Sequence, residues 1–269
     1  MSDERLSAVF LRSLLAGGLA GCSVDLALFP LDSLKTRLQA YKSGQTLSFK
    51  NPYSGLASTM LASFPCAATF WATYMTAKRT FRQAWPDLHP AAIHLLSAAC
   101  GSTATSLVRT PFEVVKQQMQ LGLYTSSTKT LKGIIAHNGT FGLFAGFSSL
   151  VMREIPFDAI QFLTYERLKY ADYGGADKGA AASLLNGAVA GGLAALLTTP
   201  IDVVKTRLMT QKKDSRYTGV WQAIGLIYKQ EGFAGLWSGW KIRLLYITTG
   251  GMLFFGTFEA ASKSLAQRL

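Results

Sequence analysis

The stretch FPLDSLKTRLQ at residues 29–39 recurs twice more, as TPFEVVKQQMQ at 110–120 and as TPIDVVKTRLM at 199–209. Each copy reads P-x-[DE]-x-x-K. A repeat of this length means that one structural unit is built several times over, and it takes precedence over any local signal. The correspondence runs beyond the motif: Gly55 to Met75, Gly146 to Glu166 and Gly239 to Glu259 are each twenty residues apart, so the copies superpose without gaps. The chain divides into repeats at 1–88, 89–177 and 178–269, which together make one domain.

Of the 269 residues 49% are hydrophobic and only 16% charged, with a mean hydropathy of +0.21. That is too apolar for an ordinary soluble domain and indicates several membrane segments. Stretches long enough to cross a bilayer, roughly 20 residues, lie at 8–29, 56–77, 91–110, 147–168, 180–200 and 242–262. An even number of spans puts both termini on the same side.

The net charge is +12. The basic residues form no patch interleaved with aromatics, so no nucleic-acid partner is expected. They gather in alternate loops: Lys42, Lys50, Lys129, Lys132, Lys212, Lys213, Arg216 and Lys229 stand against Asp214 and Glu231, while the opposite loops carry Asp87, Asp172 and Asp177 against Lys178. The asymmetry reads as membrane orientation, with the three longer loops in the compartment of negative potential. Cys22, Cys66 and Cys100, with His89, His94 and His137, have no metal or redox spacing. No Gly-rich phosphate loop, GxSxG or Ser/His/Asp set is visible, and the N-terminus lacks a cleavage signature. The expectation is a transporter with no catalytic residue, metal or cofactor.

Three copies of P-x-[DE]-x-x-K, followed by EGFAGLWSG (231–239), partial NGTFGLFAG (138–146) and a reduced YSG (53–55), resemble the mitochondrial carrier family over nearly the whole chain. The resemblance implies an all-α membrane protein of six tilted transmembrane helices in three pseudo-symmetric repeats, with short helices in the matrix loops. It also implies a monomer in the lipid bilayer of the inner mitochondrial membrane, cardiolipin among its lipids, with both termini toward the intermembrane space.

Within each motif the acid and the lysine, three apart, share a helix face beside a proline kink. A soluble helix would use such charges as staples; their threefold placement at membrane depth points to gates. By the resemblance, the matrix gate pairs Asp32 with Lys116, Glu113 with Lys205 and Asp202 with Lys35. Gln39 and Gln120 brace it, and Met209 breaks the pattern. The opposite gate resembles [FY]-[DE]-x-x-[KR] and retains Lys78–Glu166 and Lys169–Glu259. The third pair, Ser262 with Met75, has lost both members, so this gate should be the weaker one.

An asymmetric substrate is read by residues that differ between repeats. Asp25 sits in the apolar run SVDLALFP, where its repeat equivalents are Ser106 and Ala195. A charge at such depth costs about 2.5–3.5 kcal/mol and usually marks a pathway. It lies seven residues before Asp32, hence within about 20° of it on the helical wheel and one storey above the gate. Arg109 is likewise unique, and so are Arg153 and Glu154 in REIPF, beside Phe157 and Asp158. Pro156 leaves open which of Arg153 and Glu154 faces inward. Arg243 is either a cavity residue or a side chain that snorkels at the boundary.

Extra carboxylates, extra guanidiniums and nearby aromatics suit a ligand with a cation, a carboxylate and an apolar or aromatic body. From these residues alone it is a zwitterionic or cationic metabolite, a basic amino acid included. SVDLALFPLDSLKTRLQ, SFP, RTPFEVVKQQ and REIPFDAIQF resemble more narrowly the branch of the family that carries S-adenosylmethionine. That resemblance implies S-adenosylhomocysteine as counter-substrate, with Asp25 on a cationic group and Arg109 or Arg153 on the carboxylate.

Overall fold

The computed structural model describes residues 2–40, 51–173, 180–211 and 217–266. Lys42, Lys50, Asp177, Lys178, Lys212, Lys213, Asp214 and Arg216 lie outside the described residues, as do the side chains of Asp172, Glu259 and Ser262. The described chain is helical throughout: α1 Ser2–Ala40, α2 Leu56–Ala84, α3 Pro90–Gln120, α4 Ser127–Asn138, α5 Phe147–Tyr173, α6 Ala180–Thr210, α7 Val220–Leu236 and α8 Trp240–Ala266. The six long helices α1, α2, α3, α5, α6 and α8 each pack on the next, and α8 returns to α1 to close a ring. The short helices α4 and α7 occupy the second and third basic loops. The chain turns by 115° between α4 and the segment that leads through α5, so α4 lies across the bundle.

Local signals fix the ends. The His89 ring accepts from the Ala91 amide with Pro90 in the first turn of α3, and Ser126 accepts from the Lys129 amide to start α4. The repeat prolines do not end their helices: α1, α3 and α6 run on to Ala40, Gln120 and Thr210, past Pro30, Pro111 and Pro200. The spans expected to stop near these prolines are therefore too short. Thr110 and Thr199, each immediately before a proline, donate to the carbonyls of Ser106 and Ala195 a turn back. Such back-bonding accommodates a bend without breaking the helix.

Among the described residues, α3 and α6 each qualify as crossing helices by length and apolar composition, and the bent segment from α4 through α5 qualifies as a third only if taken as one span. Six were expected. In α1 and α5 the shortfall has a visible cause, the charges of Asp25, Asp32, Lys35, Arg153, Glu154 and Asp158, all of which face an internal cavity rather than lipid. The outer surface is apolar, with Leu61, Leu107, Leu163, Leu185 and Leu197 each more than half exposed. Patches of this kind mark a surface that water does not cover.

Two apolar cores lie at the motif end of the bundle. One joins α6 to α7 through Val203, Val204, Leu208, Tyr217, Ala223 and Ile227. The other joins α3, α4, α5 and α6 through Val114, Val115, Met119, Ile134, Leu150 and Met209. The equivalent glycines Gly55, Gly146 and Gly239 begin the even-numbered spans with φ of 93°, 78° and 75°. Each presses on the motif helix of the next repeat. A Cβ would come to 3.0 Å of the Lys116 carbonyl oxygen at Gly55, 2.9 Å of Met209 at Gly146 and 3.3 Å of Gln39 at Gly239.

Gly55→Ala should therefore lower the thermal unfolding temperature of the purified protein more than Gly122→Ala. Both positions need a left-handed backbone, which costs a non-glycine residue about 1–2 kcal/mol. Only Gly55 also meets another helix, since nothing lies within 4 Å of a Cβ at Gly122. Equal shifts in thermal melts would show that the approach of α2 to α3 is not tight.

Candidate functional site

The ring of helices encloses a cavity of about 1280 Å³. Its floor is a cycle of ion pairs among the three motif helices. Lys116 Nζ lies 2.8 Å from Asp32, Lys205 Nζ 2.8 Å from Glu113, and Lys35 Nζ 2.7 Å from Asp202. Each acid thus pairs with the lysine of another repeat, α1 to α3, α3 to α6 and α6 to α1. Gln39 donates to Asp202 at 2.8 Å and Gln120 to Asp32 at 2.9 Å. Where Met209 replaces the third glutamine, Gln117 donates to Glu113 at 2.9 Å from one turn along the same helix. Met209 joins the apolar core instead.

A second cycle underlies the first and was not anticipated. Arg37 donates to the carbonyl of Gln120 at 2.8 Å, Gln118 to that of Met209 at 3.3 Å, and Arg207 to that of Gln39 at 3.0 Å. The donors all stand two residues after the motif lysine and the acceptors four after it, so each motif helix has a terminal carbonyl capped by its neighbour. The signal was present in the column Arg37, Gln118, Arg207. Arg207 is further held by both carboxylate oxygens of Glu231 at 2.6 Å.

Arg243 is 1% exposed. It pairs with Asp202 at 2.8 Å and donates to the Thr198 hydroxyl at 2.7 Å. It is therefore a buried floor residue and does not snorkel. Asp202 consequently carries Lys35, Arg243 and Gln39, with Arg153 at 3.8 Å, whereas Asp32 carries Lys116 and Gln120.

Above the floor, Arg153 and Glu154 both face the cavity, which the proline had left open. Glu154 accepts from Arg109 at 3.1 Å and is bonded more closely to Arg153, whose guanidinium sits 5.7 Å over the Phe157 ring. Asp158 accepts from the Ser102 hydroxyl at 2.6 Å. Asp25 lines the same cavity with no ion pair or hydrogen bond among the described residues. In all, Asp25, Asp32, Glu113, Glu154, Asp158 and Asp202 are matched by Lys35, Arg109, Lys116, Arg153, Lys205 and Arg243. The lining is neutral overall, so it discriminates by arrangement rather than by net charge.

At the other end, Lys78 and Glu166 are not brought to ion-pair distance. Lys78 lies 5.6 Å over the Tyr74 ring instead. Lys169 is described, but the side chain of its expected partner Glu259 is not.

A family model described as "Mitochondrial carrier protein" matches the chain at residues 7–84, 87–171 and 176–269. The "Mitochondrial S-adenosylmethionine carrier protein" of Xenopus tropicalis is 42% identical over 93% of this chain and 94% of its own length. The "Probable S-adenosylmethionine carrier 2, chloroplastic" of Arabidopsis thaliana is 40% identical over 97% of this chain and 76% of its own. The "Putative mitochondrial carrier protein PET8" of Saccharomyces cerevisiae is 39% identical over 96% and 95%.

Removing one partner of a buried ion pair costs about 3–5 kcal/mol because the other charge is left uncompensated. Asp202→Asn takes the acid from three cations, Lys35, Arg243 and the more distant Arg153, which keeps Glu154, whereas Asp32→Asn strands only Lys116, which keeps Glu113 at 4.0 Å. Asp202→Asn should accordingly depress the unfolding temperature further than Asp32→Asn. The reverse order in thermal melts would mean that Arg243 is not anchored on Asp202.

Proposed function

This chain belongs to the mitochondrial carrier family, and we propose that it imports S-adenosylmethionine across the inner mitochondrial membrane by alternating access, in exchange for S-adenosylhomocysteine. The observation that carries the reading is the pairing of two unlike subsites in one neutral cavity: Asp25, a carboxylate without an ion-pair partner among the described residues, and the Arg109–Glu154–Arg153 cluster. The names of the relatives support the same substrate. Both termini face the intermembrane space, the protein works as a monomer, and cardiolipin is among its lipids.

In this reading Asp25 takes a cationic group of the substrate and a guanidinium takes its carboxylate. Arg109 is the better placed of the two, its side chain 41% exposed against 14% for Arg153. Glu154 holds Arg109 toward the cavity and is itself neutralised by Arg153, so a substrate carboxylate meets an oriented cation. Bidentate contact of this kind is geometrically selective. Phe157 and Asp158 complete the wall. The cycle Asp32–Lys116, Glu113–Lys205 and Asp202–Lys35 is the matrix gate, with Gln39 and Gln120 as braces. Opening it costs those pairs, and the cost is offset by substrate contacts and by closing Lys78–Glu166 and Lys169–Glu259 on the opposite side.

A carrier for a basic amino acid would use the same Asp25 and the Arg153–Glu154 pair, so the decisive test compares ligands. Liposomes holding the purified protein and preloaded with S-adenosylhomocysteine should take up labelled S-adenosylmethionine, and labelled arginine or lysine should enter at background rate. Equal uptake of arginine would overturn the substrate assignment. Asp25→Asn should reduce S-adenosylmethionine exchange to background with little change in thermal stability, because the amide keeps the shape and removes the charge. Exchange at the wild-type rate would remove Asp25 from the site.

A further inference from the structure

Around Phe70 the wall of α2 is built unlike the rest of the cavity. Phe70 and Trp71 both line it. Their rings meet edge to face at 5.8 Å, Phe70 stacks parallel to Tyr74 at 5.9 Å, and Trp71 meets Tyr74 edge-on at 5.8 Å. The cluster is anchored on α3 at two points. Tyr74 Oη is 2.6 Å from His94 Nδ1. Gly101 lets the Phe70 ring lie against the helix, since a Cβ there would come to 3.0 Å of the ring. Trp71 nevertheless remains 43% exposed. A large flat side chain held by two rings and left open on a cavity is set to receive another flat ring.

The residue beside Gly101 is Ser102, whose hydroxyl donates to Asp158 Oδ2 at 2.6 Å. One carboxylate oxygen is thus oriented by the serine, and the other has capacity for a donor on a ligand. A stacking surface and a carboxylate acceptor at one level have the chemistry to hold a nucleoside, a π-face with N–H and O–H donors at its edge. Ser102 precedes Arg109 by seven residues, about 10 Å of helix rise. One ligand with an amino-acid end and a nucleoside end spans both levels.

We propose that Phe70 and Trp71 form a stacking subsite for the purine of the substrate, with Asp158 accepting a hydrogen bond from the nucleoside. The proposal rests on the nucleoside-bearing substrate argued above and adds the residues that distinguish it from a plain amino acid. The two ends of the ligand are read separately: the amino-acid end near Asp25 and Arg109, the nucleoside end toward the mouth. A base stacked on an aromatic side chain is worth a factor of about five to a hundred in affinity.

The test uses the purified carrier in liposomes preloaded with S-adenosylmethionine, with uptake of labelled S-adenosylmethionine competed by two partial ligands. Methylthioadenosine has the nucleoside without the amino acid, and S-methylmethionine has the sulfonium amino acid without the nucleoside. Trp71→Leu should raise the half-inhibitory concentration of methylthioadenosine about tenfold and leave that of S-methylmethionine within about twofold. Trp71→Phe, which keeps a ring, should restore most of the loss. A wild-type carrier indifferent to methylthioadenosine overturns the subsite, as does a Trp71→Leu variant that weakens both competitors equally or neither. A wild-type carrier that does not exchange S-adenosylmethionine fails the parent reading instead, so the two failures are distinguishable.

Discussion

Three buried ion pairs, each joining the acid of one repeat to the lysine of another, are the constraint to which the rest of the bundle conforms. A lone charge at this depth is costly, and these are tolerated because every one has both a partner and a further donor. Cyclic pairing draws the C-terminal halves of α1, α3 and α6 to one point. The helices must bend to meet there, which is the place of Pro30, Pro111 and Pro200. Helices α2, α5 and α8 must enter where those ends converge, which leaves no room for a side chain at Gly55, Gly146 or Gly239. Converging helix ends also expose terminal carbonyls to one another, and Arg37, Gln118 and Arg207 satisfy them. An apolar plug would close the same gap. A closure made of charges has the further property that its separated halves are stable in water or against a charged ligand.

The floor is not equally strong all round. Asp202 holds Lys35 and Arg243 closely, Arg153 at 3.8 Å and a glutamine, Asp32 one cation and a glutamine, and Glu113 is served by Gln117 of its own helix in place of Met209. The third repeat has replaced a polar brace by apolar packing, because Met209 fills the space beneath α5 beside Gly146 and Leu150. Arg243 adds to Asp202 a cation that has no counterpart at the other two acids. Departures from threefold symmetry are thus found in the floor as well as in the cavity above it, and only some of them concern a ligand.

The repeat made the fold legible, because a motif seen three times over a closed ring leaves little freedom in topology. The floor pairs were legible through the resemblance, which supplied the partners that spacing alone does not. What sequence could not supply were contacts whose partners come from different repeats without a repeated charge. Arg243 stayed open between the cavity and the boundary because its partner Asp202 is 41 positions away on another helix. Arg153 and Glu154 stayed ambiguous because Pro156 disrupts the wheel, and the cavity takes both. The expected helix ends were wrong for a related reason: proline was weighed as a terminator, whereas Thr110 and Thr199 satisfy backbone carbonyls locally and let the helix continue. The column of cap donors was visible but carried no chemistry until the helix ends were seen to meet.

The proposed exchange also constrains which group Asp25 recognises. Among the six carboxylates that line the cavity, the other five each have an ion pair or a hydrogen bond among the described residues. An unpartnered carboxylate is tolerable while water fills the space around it. Closing the mouth expels that water, and burying an unpaired ion costs several kcal/mol. A carrier without ligand would bear that cost at each turnover, whereas one holding a cation against Asp25 would not. In the proposed exchange the return journey faces the same barrier, and the returning ligand brings its own cation. S-adenosylhomocysteine has lost the sulfonium charge and keeps the ammonium. On the proposed exchange, a single carboxylate that serves both legs of the cycle pairs with the group common to both ligands, the ammonium.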